Sequence, residues 1–180
     1  MKPIYRQAAA GFGPAIPVDY RTAPFAVGVM GILSSNGSLT WGVQHTLDDT
    51  GPEGALPISY SQTTTTITVT DRRVISGVAG HGLSVADSVY LRGISGTPDG
   101  NYQIASVVSQ TQYTVTSAVS QTAAGNGSAN NFRWDTHVSL TGQTTRADGN
   151  YAFPVRAIRL NVSAYTAGYI DLILLQGWSQ

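Results

Sequence analysis

The chain has 180 residues, 11% of them charged, no cysteine and a formal net charge of zero. That length fits one domain or two small ones with real cores, and a charge content far below the roughly 25% of ordinary soluble domains describes a polar, weakly charged surface. The composition excludes disulfides, thiolate metal sites and a cysteine nucleophile, and the balanced charge leaves no field to draw in nucleic acid or an anionic membrane.

Lysine occurs only at Lys2, so arginine is nearly the sole cation. The opening Met1-Lys-Pro-Ile-Tyr-Arg6 has no apolar core of signal-peptide length, and no stretch approaches the ~18 apolar residues of a membrane span. A soluble, cytoplasmically made protein is expected.

Residues 1–20 hold Pro3, Pro14 and Pro17, the Ala8-Ala9-Ala10 triplet and the Gly11-Phe12-Gly13 step. Proline and glycine at this density oppose regular pairing, so residues 1–19 are expected to form an extended arm, a mobile tail being the alternative. Ile4, Tyr5, Phe12, Ile16 and Tyr20 are apolar groups that a solvated tail does not need; they suit lying on a neighbouring surface. An apolar strand follows over residues 24–33. Asn36-Gly37 is the favoured pair for a tight hairpin, because both residues accept positive φ. The return strand covers residues 38–47, with Leu39, Trp41, Val43 and His45 on one face and Thr40, Gly42, Gln44 and Thr46 on the other. Residues 48–54 read as a loop.

From residue 62 the texture changes. The threonine-rich run 63–70 is pure β-former and residues 71–73 read as a turn. Short strands follow at 74–75, 88–92, 102–108 and 112–116, which together suggest a small barrel or two-sheet module. The polar stretch 121–129 reads as a linker. Alternation resumes over 132–140, residues 141–150 form a long turn, and strands at 153–162 and 169–176 close the chain around the Thr166-Ala-Gly168 turn. In the first of these, Arg156, Ile158, Leu160 and Val162 share a face that is mostly apolar. No window sustains a helical period. The expected fold is all-β: a jelly-roll-like antiparallel β-sandwich from residues 20–61 plus 130–180, an inserted small β-barrel-like module over 62–129, and the extended N-terminal arm.

The serines have no Gly-x-Ser-x-Gly elbow around them, no carboxylate pair suggests glycoside hydrolysis, and neither a phosphate loop nor a dinucleotide fingerprint occurs. A protein without enzymatic activity, cofactor or metal is expected. His45, Asp48, Asp49, Asp135 and His137 match no recognised ligand spacing and are read as edge or loop residues that hydrogen-bond locally. Arg72-Arg73 reads as a solvated turn. Arg156, on an apolar-rich face, is expected to pair with a buried carboxylate or to reach an interface. Ile4, Tyr5, Phe12, Ile16, Tyr20 and Arg156 are thus the candidate assembly contacts. Trp41 and Trp134 read as core and Trp178 as exposed; with nine tyrosines they leave a carbohydrate-binding module as the rival function.

Several motifs together resemble the structural modules of tailed-bacteriophage virions. Val18-Asp-Tyr-Arg-Thr-Ala-Pro-Phe25 and Val43-Gln-His-Thr-Leu-Asp-Asp49 resemble the first half of small phage virion sandwiches. Trp134-x-x-His137, Leu140-Thr141, Asp148-Gly-Asn-Tyr151 and Pro154-Val-Arg-Ala-Ile-Arg-Leu-Asn-Val162 resemble the second half. His81 to Gly93, Gly100 to Val108 and Thr114-Val-Thr116 are similar to a small β-module of phage head and tail proteins. In that pattern a glycine commonly precedes the aspartate; Ala86 stands there in this chain, which points to a turn of another type. The resemblance implies a capsid decoration (cement) protein on the virion surface, partnered by the major capsid protein and by itself as a homotrimer at three-fold sites. A tail or fibre accessory protein, or a module that binds a host surface component, is the alternative.

Overall fold

The computed structural model describes residues 5–21, 25–52, 55–75 and 78–176. Ile4 and Trp178, two residues singled out from the sequence, lie outside the described residues. The described chain is all-β, without helix. In order the strands are β1 (Tyr5–Gln7), β2 (Gly11–Phe12), β3 (Ile16–Pro17), β4 (Val27–Leu33) and β5 (Ser38–Thr46). Then come β6 (Leu56–Thr70), β7 (Val74–Ile75), β8 (Val78–Ala79), β9 (Ser88–Arg92) and β10 (Gly100–Ser109). The last are β11 (Gln112–Phe132), β12 (Asp135–Thr136), β13 (Ala147–Tyr151), β14 (Ala157–Ala167) and β15 (Ile170–Gln176). The chain divides into two compact units: unit 1 joins residues 1–47 and 135–180, and unit 2 is the continuous stretch 48–134. Residues 48–61 and 130–134, expected in the sandwich, therefore belong to unit 2.

Unit 1 is two antiparallel sheets. One has the order β1-β15-β4-β13; the other runs β12-β5-β14, with β2 and β3 both pairing β14. Alternation along the strands sends Val27, Val29, Trp41, Val43, Ile158, Leu160, Ile170 and Leu172 into one fully buried core between them. The hairpin expected at Asn36-Gly37 does not form: β4 lies in the first sheet and β5 in the second. The turn explains this. Gly37 N donates to Ser34 O at 2.8 Å, but neither Asn36 nor Gly37 has positive φ. Such a turn lacks the twist that keeps hairpin strands together and splays them apart. The chain arches from sheet to sheet, and the β14–β15 connection arches beside it. Ser34 N donates to Tyr169 O at 3.0 Å and Tyr169 N donates to Ser34 Oγ at 3.1 Å, tying the two arches together.

The N-terminal segment is extended, but it lies on the chain's own sheets. β1 forms an edge of the first sheet through Tyr5↔Leu172, and β2 and β3 flank the second through Phe12↔Asn161 and Ile16↔Ile158. Proline is compatible with this because an edge strand leaves one row of donors unused.

In unit 2, β6 and β11 pair from Thr70↔Gln112 to Leu56↔Ala129. β11 pairs β10 near its start and β9 at its end, and β9 pairs β10, so the ladder closes on itself. Ile67, Val69, Val89, Leu91, Tyr113 and Val115 fill the interior. The stretch 121–129 is strand, not linker. Its glycines serve close approach: a Cβ on Gly127 would lie 2.8 Å from Arg92 O, and one on Gly125 would lie 3.3 Å from the Tyr60 hydroxyl. β6 bends at Thr64, whose φ is 56°, opposite a register shift between Thr116 and Gln121. Buried Gln62 holds the bend, donating to Thr64 O at 3.0 Å and Val119 O at 2.7 Å. Arg73 is not solvated as expected: its Nε lies 3.0 Å from the fully buried Asp71 carboxylate. The reason is that Asp71 also accepts from Asn131 Nδ2 at 2.9 Å, so the turn is drawn into the unit. Trp134 is buried in unit 2, where its indole N–H donates to Ser88 Oγ at 2.9 Å.

Candidate functional site

Of the described candidate assembly residues, Tyr5, Phe12 and Ile16 lie on β1, β2 and β3, while Tyr20 lies in the connection after β3 and Arg156 directly before β14. Tyr5 and Ile16 pack against the core from β1 and β3. Phe12, on β2, lies under the Arg159 guanidinium, 4.2 Å from ring centroid to Cζ. Tyr20 carries Arg156 over its ring at 4.3 Å. Arg6 repeats the arrangement on Tyr169 at 3.7 Å while its Nε and Nη2 donate to Asp171 at 2.7 and 2.8 Å. The Asp171 hydrogen bonds raise the Arg6 pKa. Guanidinium planes stack on aromatic faces because the ring quadrupole attracts a weakly hydrated, planar cation. Tyr20 and Arg156 are therefore brought together. Arg159, which sequence reasoning passed over, is the buried arginine: only 3% exposed, it donates to Gln44 Oε1 at 2.8 Å.

A second grouping lies where β5, β12 and β13 meet. Asp135 faces His45 across the β12–β5 register. The Tyr151 ring takes His45 edge-on at 5.0 Å, His137 at 4.7 Å and Phe153 at 5.7 Å, while His45 and Phe153 are 5.5 Å apart. Ser139 N donates to His137 Nδ1 at 3.2 Å, so Nε2 carries the hydrogen and donates to Asn150 O, also at 3.2 Å. His137 therefore closes a turn with both nitrogens. His81 does the same in unit 2, accepting from Leu83 N at 3.0 Å and donating to Ser109 O at 3.0 Å. His45 differs, since its Nδ1 is buried without a hydrogen-bond partner, as is the Tyr151 hydroxyl. Burial lowers the His45 pKa below the ordinary 6.5, with Asp135 opposing that shift and His137 adding to it. Burial raises the Tyr151 phenol, which stays neutral. Asp48 and Asp49 are held by backbone groups of unit 2: Arg133 N donates to Asp48 at 3.0 Å and Gly51 N to Asp49 at 3.0 Å. Among the described residues no group of three or more His, Cys, Asp or Glu is placed to hold a metal ion.

The third feature is the outward face of the first sheet. Gly28, Met30 and Ile32 of β4 alternate with core residues, and so do Asp171, Ile173 and Leu175 of β15. The register sets Ile173 beside Met30 and Leu175 beside Gly28, and a shallow groove runs over them to Asp148 of β13. Leu175 is 51% exposed. The outer face of an antiparallel sandwich is ordinarily polar; here half-buried Met30 and Ile32 and exposed Leu175 lie around Ile173, which is only 4% exposed, with Asp171 and its Arg6 partner beside them. The sequence held a signal for it, because residues 27–33 and 170–175 are apolar at nearly every position instead of every second one. Comparison with protein-family models, with curated proteins and with solved structures finds no match to this chain.

Proposed function

We propose that this chain is a non-enzymatic structural protein of a tailed-bacteriophage virion: a capsid decoration protein, working as a homotrimer, that binds the outer shell and bridges major capsid subunits. The observation that carries this reading is the apolar patch on the outer side of the first sheet, where half-buried Met30 and Ile32 and exposed Leu175 surround buried Ile173, in a chain with few charges. Interfaces are depleted of charge at their centres, favour arginine over lysine and enclose contiguous apolar area. Val138, 92% exposed in a turn, and Phe153, 48% exposed, add apolar side chains to the surface of the same unit. The resemblance of motifs in both units to phage virion modules supports this class of partner.

The test is cosedimentation with particles stripped of this chain. Met30→Glu combined with Leu175→Glu is expected to weaken binding at least tenfold while leaving the melting temperature near that of wild type. Undiminished binding by that variant would remove the face from the account. Binding of wild type only to isolated tails would place the protein in the accessory class, and a saccharide-induced change in tryptophan emission would favour the carbohydrate reading.

A further inference from the structure

We propose that His45 is a proton-operated latch on the β12–β13 end of unit 1: neutral, it completes the ring cluster with Tyr151 and Phe153; protonated, it leaves the cluster for Asp135 and loosens residues 135–153. The geometry supplies each part. His45 is 9% exposed and its Nδ1 finds no acceptor, so an imidazolium there would be a buried donor without a partner, the costliest arrangement a polar group meets. The groups facing it are few. β12 offers the Asp135 carboxylate, exposed and opposite in register. The following turn offers His137, whose nitrogens are committed to Ser139 and Asn150. β13 offers the neutral Tyr151 phenol, the next loop offers Phe153, and the register partner on β14 is Ile158. Arg159 is engaged with Gln44 and Phe12. Asp135 is therefore the one carboxylate among these groups, the neutral Tyr151 hydroxyl being the other oxygen without a partner, and reaching Asp135 takes the imidazole out from against Tyr151.

The segment that would respond is anchored at defined points: among the described residues β12, two residues long, pairs β5 and β13 pairs β4, His137 N donates to Val43 O at 2.9 Å, Gln143 bridges Trp41, and Leu140 and Tyr151 are buried in the core. It also carries Val138 and Phe153, so the latch would control how those exposed apolar side chains are presented. The direction follows from the lowered His45 pKa. The unfolded chain takes its proton near 6.5 and the folded chain only at lower pH. Stability is complete above 6.5 and is lost as pH falls from there through the folded value, by at most tenfold in the opening equilibrium per pH unit.

The experiment follows the full-length protein by amide exchange and imidazole NMR between pH 8 and pH 4.5. In wild type, protection factors for residues 147–151 are expected to fall by up to about tenfold per unit below 6.5, while those of β4 and β15 hold. His45→Phe should flatten that response, and His45→Gln provides the same comparison should the phenylalanine variant fold poorly. Asp135→Asn should move the His45 imidazole midpoint further down. An ordinary His45 midpoint, a full acid response in both His45 variants, or equal loss of protection across β4 and β15 would each overturn the latch.

Discussion

Trp41 has no exposed surface, and its six-membered ring lies directly over Gly31 of the facing sheet, where a Cβ would collide with it. Its indole N–H donates to Thr145 O at 3.1 Å. Glycine at 31 is thus required by close approach, and Gly31→Ala should cost about 1–3 kcal/mol through overpacking, read as an earlier urea midpoint in tryptophan emission. A midpoint equal to wild type would mean the two sheets have room to part. Ala86 presents the opposite case. It has a φ of 79°, where only glycine is at ease. The turn is nonetheless fixed, since Asp87 N donates to Ser84 O at 3.1 Å and Ser84 N to the Asp87 carboxylate at 2.8 Å. The alanine is therefore held in the backbone conformation a glycine would adopt freely. Ala86→Gly should stabilise unit 2 by roughly 0.5–1 kcal/mol, the left-handed penalty less the extra entropy of glycine in the unfolded chain. A loss of stability in thermal unfolding would contradict this.

At the level of elements, the N-terminal strands contribute to the fold of unit 1. They cover the outer side of β14, so Arg159 is buried although it points away from the core residues Ile158 and Leu160. Removing residues 1–17 should cost about 3 kcal/mol or more, because several half-buried apolar groups are lost together and a buried guanidinium loses its cover. Chemical unfolding of the truncated chain checks this, and an unchanged midpoint would return the segment to the role of a free arm. The distinction was hidden in the sequence: proline and glycine forbid a central strand but permit an edge strand, and composition does not separate an edge strand from an arm. The strands themselves were legible wherever alternation was strong, as in 38–47 and 157–162. Pairing was not, because it depended on turn conformation. Asn36-Gly37 has the residues for a hairpin yet adopts an arch, since β4 and β5 each have other partners in β15 and β14. The linker reading of 121–129 failed for a related reason, its glycines marking backbone contacts instead of flexibility. The ring cluster around Tyr151 was half visible, with His45 and His137 noticed and Phe153 missed, because the register that joins them is set by strands far apart in sequence.

At the scale of the whole molecule, two cores lie in two units, one built from a continuous stretch of chain and one from two separated stretches. A unit with its own core and a closed strand ladder is expected to fold alone. Residues 48–134 expressed by themselves should therefore unfold cooperatively and keep dispersed amide signals; a collapsed, unprotected chain would show that the unit depends on the rest of the protein. In the proposed role the outer face of unit 1 matters more than either core, because Met30, Ile32 and Leu175 leave apolar surface there on a weakly charged chain. The most direct test of the proposed role is cryo-electron microscopy of phage particles assembled with this chain supplied beside particles assembled without it. The account predicts extra lobes at three-fold positions of the shell, with the Met30–Leu175 face of unit 1 against capsid subunits. Identical shells in the two reconstructions, or extra density confined to the tail, would contradict it.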